Sequence, residues 1–349
     1  MSRFRVEAPT VALAVAIYGG WIVVTLAWRF IPWPLLVLAG GWLTAWQSSL
    51  QHETIHGHPT RFRALNDAIG WPPLSLWLPY PIYRASHLRH HRDERLTDPI
   101  EDPESAYVTP ELWSRVGPLG RAILAANTTL IGRLLIGPAI MIGAFVGSEV
   151  LALARGDYRH GGIWARHLLG VAAVLVWVVA VCGMPFWLYL VAFVYPGAAL
   201  IRLRAYAEHR WSEEVAHRTA IVERGGLFGI LFLNNNLHAL HHSRPTIPWY
   251  DLPAAYDHER RSLVSRNGGL VYRGYFDVAR RFLFRPHHDP VHPEQNSRQA
   301  RISGGDRGSL VSQDRVVVAF WKDREATEAE DFPRFGQSWR YHGGFQRLP

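Results

Sequence analysis

Three short stretches concentrate the side chains best able to hold a transition metal: His52-Glu53-Thr54-Ile55-His56, His87-Leu88-Arg89-His90-His91 and His238-Ala239-Leu240-His241-His242. On a helix, positions i, i+3 and i+4 share a face, so each stretch can aim two or three imidazoles at one point. Together they supply eight imidazoles. A structural zinc takes about four protein ligands and a catalytic zinc about three, so eight is too many for one ion and suits two. Imidazole serves iron, copper, zinc and nickel alike, and ligand type leaves the element open. His160, His167, His217, His258, His342 and the pair His287-His288 stand outside any such pattern. They are read as surface, capping or core residues. The first stretch also spells H-E-x-x-H, which in a zinc protease would make His52 and His56 ligands and Glu53 the general base. That alternative leaves the other two stretches without a purpose.

The elements beside these stretches are apolar. Residues 8–28, 30–51 and 168–201 carry no charge. A hydrocarbon layer about 30 Å thick needs roughly 20 apolar helical residues, so the first two are expected to span a membrane. Pro32-Trp33-Pro34 makes the turn between them, and the second leads directly into His52. Gly183-Met184-Pro185 interrupts the third, which predicts two short spans joined by a tight turn. Residues 134–148 are too few to cross comfortably and are expected to lie in the interface. Residues 65–83, rich in Trp and Pro, also read as interfacial. An even number of crossings separates His91 from His209, which keeps all the histidine stretches on one side. The fold expected is an all-α membrane protein of about four transmembrane helices with a cytoplasmic helical cap. Residues 1–288 form its catalytic domain and 289–349 a polar C-terminal tail.

Composition excludes several other classes. The net charge of +8 comes almost wholly from Arg, with Lys322 the only lysine. No nucleic-acid-binding motif accompanies it, and a basic rim fits the positive-inside rule. Cys182 is the only cysteine, so the chain carries no iron–sulfur centre or dithiol relay of its own.

The H-x-x-x-H, H-x-x-H-H and H-x-x-H-H boxes, with His241-His242 followed by Pro245 and Pro248-Trp249-Tyr250-Asp251-Leu252-Pro253, resemble the membrane fatty acid desaturase superfamily. Acyl hydroxylases, alkane monooxygenases and carotenoid ketolases belong to it too. The resemblance covers about residues 10–260. It implies a non-haem di-iron site at the cytoplasmic membrane surface, O2 as co-substrate, a lipid-like substrate from the bilayer, and an external donor such as a ferredoxin with its reductase. It carries over His52, His56, His87, His90, His91, His238, His241 and His242 as ligands. His209, between the last span and the third box, carries over as a ninth. Acyl-CoA desaturases have an Asn four residues before that histidine; Ala205 stands here. Ligating imidazoles usually donate their second N–H to a carboxylate or carbonyl. Glu53, Glu208 and Asn234 are the foremost candidates, with Asp98, Asp102, Asn235 and Asn236 nearby. The acidic loop Asp98–Ser105 could alternatively meet a substrate head group. The implied reaction is fatty acyl desaturation, with hydroxylation or ketolation as the alternative outcome of the same site.

Overall fold

The computed structural model describes residues 6–293. From residue 294 on, the expected C-terminal tail lies outside the described residues. Helix α1 (Ala8–Ala27) carries Pro9 in its first turn, where the missing N–H costs nothing. A single 3-10 turn and the Pro32-Trp33-Pro34 corner reverse the chain into α2 (Trp33–Ile55). The two helices form an antiparallel pair. The C-terminal turns of α2 are polar yet buried, because they leave the apolar layer and enter a cap. Gln47 donates to Pro72 O and Gln51 to Gly70 O, at 2.9 and 2.8 Å. Thr54 donates to Gln51 O at 2.7 Å.

After α3 (Arg63–Gly70), residues 71–79 run without regular structure into the apolar layer and return to α4 (Tyr80–His90). Irregular backbone is tolerated there only when protein groups satisfy its carbonyls. Three side chains do so: Gln47 on Pro72 O, Tyr189 on Leu74 O and His167 Nε2 on Leu76 O, the last two both at 2.8 Å. Leu74 packs in one cluster with Trp21, Leu36, Val178 and Tyr189, so the segment is re-entrant rather than merely interfacial.

Short helices α5 (Pro110–Arg115), α6 (Pro118–Ala126) and α7 (Leu130–Leu135) precede α8 (Gly137–Ala154). Helix α9 (Gly161–Leu175) continues as a π-helical turn to Val181. The chain turns at residues 182–185, with Gly183 at φ +61, and returns through α10 (Phe186–Tyr189), a second π turn and α11 (Tyr195–Glu208). Among the described residues, four helices are long and apolar enough to cross a membrane: Ala8–Phe30, Gly137–Ala154, Gly161–Val181 and Phe186–Glu208; α2, with its polar last turns, is not among them.

Hydrogen bonds show which helices join the two ends of the bundle. The Trp28 indole donates to Cys182 O at 2.9 Å, and Arg29 to Gly183 O at 3.3 Å, so the two turns share one end. His90 and His209 meet at the other end, with Nε2 atoms 3.1 Å apart. Helices α1, α2, α9 and α10–α11 therefore connect the two ends. Helix α8 begins beside Arg202 and ends just before the start of α9. Both its termini lie on the histidine side, so it runs along that surface although its length would allow a crossing. Close packing of α2 on α10–α11 depends on glycine: a Cβ at Gly40 would sit 2.5 Å from Ala192 O, and one at Gly197 2.6 Å from Thr44 Cβ.

The cap is helical with one small exception. Strands β1 (Ile221–Arg224) and β2 (Val271–Gly274) pair in parallel, with Ile221 opposite Val271. Around them lie α12 (Leu227–Leu231), α13 (His238–Ser243), α14 (Leu252–Arg266) and α15 (Tyr275–Phe282). The packed body continues past residue 288: Val291 bridges Val108, and His292, fully buried, donates its backbone N–H to Val108 O at 3.1 Å.

Candidate metal centre

All nine histidines singled out from the sequence converge at the cap end, in two groups. The first contains His52, His56, His87, His91 and His241; the second contains His90, His209, His238 and His242. Within each group the candidate ligand atoms lie within 4.8 Å of one another. The groups adjoin, with the His91 and His242 rings stacked at 4.4 Å between centroids.

The H-x-x-H-H spacing works differently from the expectation that each box aims at one point. At the C-terminal end of α4, His87 and the capping His91 are four residues apart and face the first group, while His90 faces the second. In α13 the pattern is reversed: His238 and His242 face the second group and His241 reaches the first. A step of three residues turns about 60° short of a full revolution and a step of four about 40° beyond it, so the two partners diverge. Each of these two boxes thus feeds both groups. The first box supplies only the first group, from the last turn of α2 and the residue capping it. His209 enters because α11 ends at Glu208 and the chain turns extended.

The inward-facing atoms are Nε2. In the first group His87 Nε2 lies 3.0 Å from both His56 Nε2 and His91 Nε2, and His91 Nε2 lies 3.1 Å from His241 Nε2. In the second, His209 Nε2 lies 3.0 Å from His238 Nε2. Several Nδ1 atoms face acceptors on the outside. His87 Nδ1 meets Glu104 Oε1 and His90 Nδ1 meets Asp102 Oδ1, both at 2.8 Å. His238 Nδ1 meets Asn235 Oδ1 at 3.2 Å, and His209 Nδ1 the backbone oxygen of Arg218 at 3.3 Å. An Nδ1–H that donates outward leaves the Nε2 lone pair of a neutral ring facing its neighbours. Lone pairs so close repel unless a cation lies between them. Buried His52 Nε2 has no hydrogen-bond partner, as expected of a ligand atom. Imidazole ligands about 2.1 Å from an ion and at right angles to each other stand about 3.0 Å apart, which agrees with these contacts. The donor set therefore fits two metal ions.

Electrostatics divides the outer partners. Burial, reinforced by neighbouring histidines, holds His56, His87, His209, His238, His241 and His242 well below the usual imidazole range, so they are neutral and able to donate to a metal. His90 differs. Burial pushes it down, but the Asp102 and Glu104 carboxylates outweigh that and raise it to about 9. Burial would lift the Glu104 carboxyl, yet His90 and Arg204 keep it below the usual carboxylate range. Binding of a cation at His90 would release its proton.

Of the three foremost outer candidates, Glu208 stands closest to the role. Its Oε1 is 3.4 Å from His238 Nδ1, accepts from Asn235 Nδ2 at 3.1 Å and forms an ion pair with Arg204 at 3.1 Å. Glu53 turns aside: Oε1 is 3.9 Å from His52 Nδ1, and Oε2 accepts the Trp249 N–H at 3.2 Å. Asn234 does not meet a box histidine; its amide donates to Trp249 O at 2.9 Å, and Asn235 takes the place beside His238. The sequence placed Asp102 only among nearby candidates, and Glu104 only in a loop facing a head group. The loop instead folds inward, with Asp102 Oδ2 accepting from Thr97 N and Oδ1 from Glu104 N, both at 2.9 Å. Its available signal was two prolines, Pro99 and Pro103, bracketing an acidic turn just after the second box.

A helical body with membrane-spanning apolar helices and a histidine-lined double site defines a class of membrane metalloprotein. The fatty acid desaturase family model matches residues 27–276. The chain belongs to that family, whose members are oxidoreductases acting on lipids at histidine-rich metal sites. No curated protein matches it.

Proposed function

We infer that the protein oxidises a lipid-like substrate with O2 at two iron ions, and that the reaction is desaturation of a fatty acyl chain. The observation that carries this reading is the pair of adjoining imidazole groups at the cap end of a fatty acid desaturase family member. His52, His56, His87, His91 and His241 would hold one iron, and His90, His209, His238 and His242 the other. Iron, when bound, supplies the redox chemistry that activates O2. The chain supplies position. Glu104, Asp102 and Asn235 fix ring orientation through His87, His90 and His238. The burial of His52, His87, His90, His238 and His241 keeps water from the ligands. The zinc-protease reading loses support from Glu53, whose carboxylate is engaged by Trp249 N, and from a first group of five histidines.

Electrons come from an external donor of the ferredoxin type, because the sole cysteine, Cys182, lies at the turn farthest from the site. The basic surface suits an acidic donor. The histidine end faces the cytoplasm. Expression in a host of known lipid content, followed by mass spectrometry, tests the reaction. Loss of two hydrogens with a new double bond is the expected product; gain of one oxygen atom without one would replace desaturation by hydroxylation or ketolation.

A further inference from the structure

Two cap helices turn apolar side chains outward. On α12, Leu227 is 71 % exposed, and Ile230, one turn on, is exposed too. On α15, Phe276 is 83 % exposed, and exposed Leu283 and Phe284 extend the same row past the helix end. Spacings of three, seven and eight residues put each set on one face. The inner faces belong to the fold. Leu231 and Phe232, with Tyr275 and Val278, join one buried cluster, against which Trp42 and Trp46 of α2 and Leu200 and Ile201 of α11 pack. The Trp46 indole donates to Ile230 O at 3.0 Å, which ties α12 to α2. Phe228 and Tyr275 meet at 5.2 Å between ring centroids, which ties α15 to α12.

Depth identifies what covers the outer faces. Helix α2 starts at the end remote from the histidines, and at 1.5 Å per residue Trp42 and Trp46 lie about 14 and 20 Å along it. Leu200 and Ile201 lie about 21 and 23 Å from the start of the Phe186–Glu208 helix. These levels fall inside a hydrocarbon layer about 30 Å thick, toward its histidine side. Elements packed there meet acyl chains on their outer side, continuous with the surfaces of α2 and α11. The charges alongside are cationic: Arg280, Arg281 and Arg285 are exposed, while Asp277, the one carboxylate of α15, is buried and paired with Arg281. An apolar face rimmed by arginine is the composition of helices that lie in a membrane interface, where the long stems let the charge reach the head groups. An acidic protein partner would use the arginines but not the outward Phe and Leu row.

We propose that α12 and α15 form a foot set into the histidine-side leaflet, with Leu227, Ile230, Phe276, Leu283 and Phe284 among lipid acyl chains and Arg280 and Arg285 reaching the phosphates. The foot is independent of the chemistry at the histidines, and its test does not read turnover. In the full chain carrying Cys182→Ser, one further change, Ile230→Cys, Phe276→Cys, Val15→Cys or Glu214→Cys, provides a site for a nitroxide label. The protein is placed in vesicles of phosphatidylcholine and phosphatidylglycerol. Electron paramagnetic resonance then reads collisions of each label with O2, which concentrates among acyl chains, and with a nickel chelate confined to water. Val15, exposed on α1, is the lipid-facing standard, and Glu214, exposed in the cap, is the aqueous one. Labels at Ile230 and Phe276 should match Val15, with an O2-to-nickel collision ratio several-fold above that at Glu214. Two positions on separate helices keep the test readable if one variant fails to fold. A ratio equal to that at Glu214 would overturn the proposal, because the face would then meet water. So would shielding from both agents, which would place the C-terminal segment on the face or, with spin–spin broadening, a second copy of the chain.

Discussion

The two histidine groups use the same ligand type but are held differently. The four-histidine group is anchored from outside by three elements: Asp102 on His90, Asn235 with Glu208 on His238, and the backbone of Arg218 on His209. In the five-histidine group the described carboxylate anchor is Glu104 on His87, while Glu53 turns from His52 toward Trp249. A fixed tautomer and ring orientation lower the reorganisation needed to bind a metal. Three of the second group's four rings are held in this way. The first group has a further imidazole, and four of its five members sit at the C-terminal ends of α2 and α4, with His241 on α13.

The sharpest way to break this comparison is to remove one ligand from each group. His91→Ala removes one of five imidazoles and His90→Ala one of four, so each should weaken iron binding at its own site, His90→Ala the more, and abolish measurable turnover. Metal analysis on folded, detergent-purified protein checks this. Loss of both irons from either variant would mean that the groups do not act as separate sites.

The outer anchors should have smaller effects. Asp102→Asn should weaken iron binding at the second site by about 10- to 100-fold, the range known for such outer partners. Glu104→Gln should weaken the first site by about tenfold or less, because its carboxylate is 21 % exposed against 2 % for Asp102 and water can replace it. Chelator competition measures both, and equal losses would remove the distinction drawn between the groups. Smallest of all, His217→Ala should leave metal content unchanged, because its imidazole pairs with exposed Glu214 away from both groups. A chain ending at His288 would lose the Val108–Val291 bridge and buried His292, and should unfold at lower temperature while keeping its ligand set.

The eight box histidines, the apolar helices and the break at Gly183–Pro185 were legible in the sequence, because each depends on residue type and local spacing; His209 came from the family resemblance alone. Helical periodicity brings His87 and His91, or His238 and His242, to one face whatever surrounds them. Local spacing does not say where a face points. The exchange of His90 and His241 between groups depends on how α4 and α13 approach each other. The inward turn of Asp102 and Glu104 depends on Thr97 N and the cap that encloses the loop. Residues 71–79 look interfacial by composition, but distant Gln47, Tyr189 and His167 satisfy their carbonyls inside the apolar layer. Helix α8 has the length and apolar content of a span, yet lies along the histidine side because its neighbours place both its ends there. Sequence determined which groups are available to hold metal and which helices suit a membrane. Tertiary structure decided how the histidines divide and which helices cross, because both are set by contacts between residues far apart in the chain.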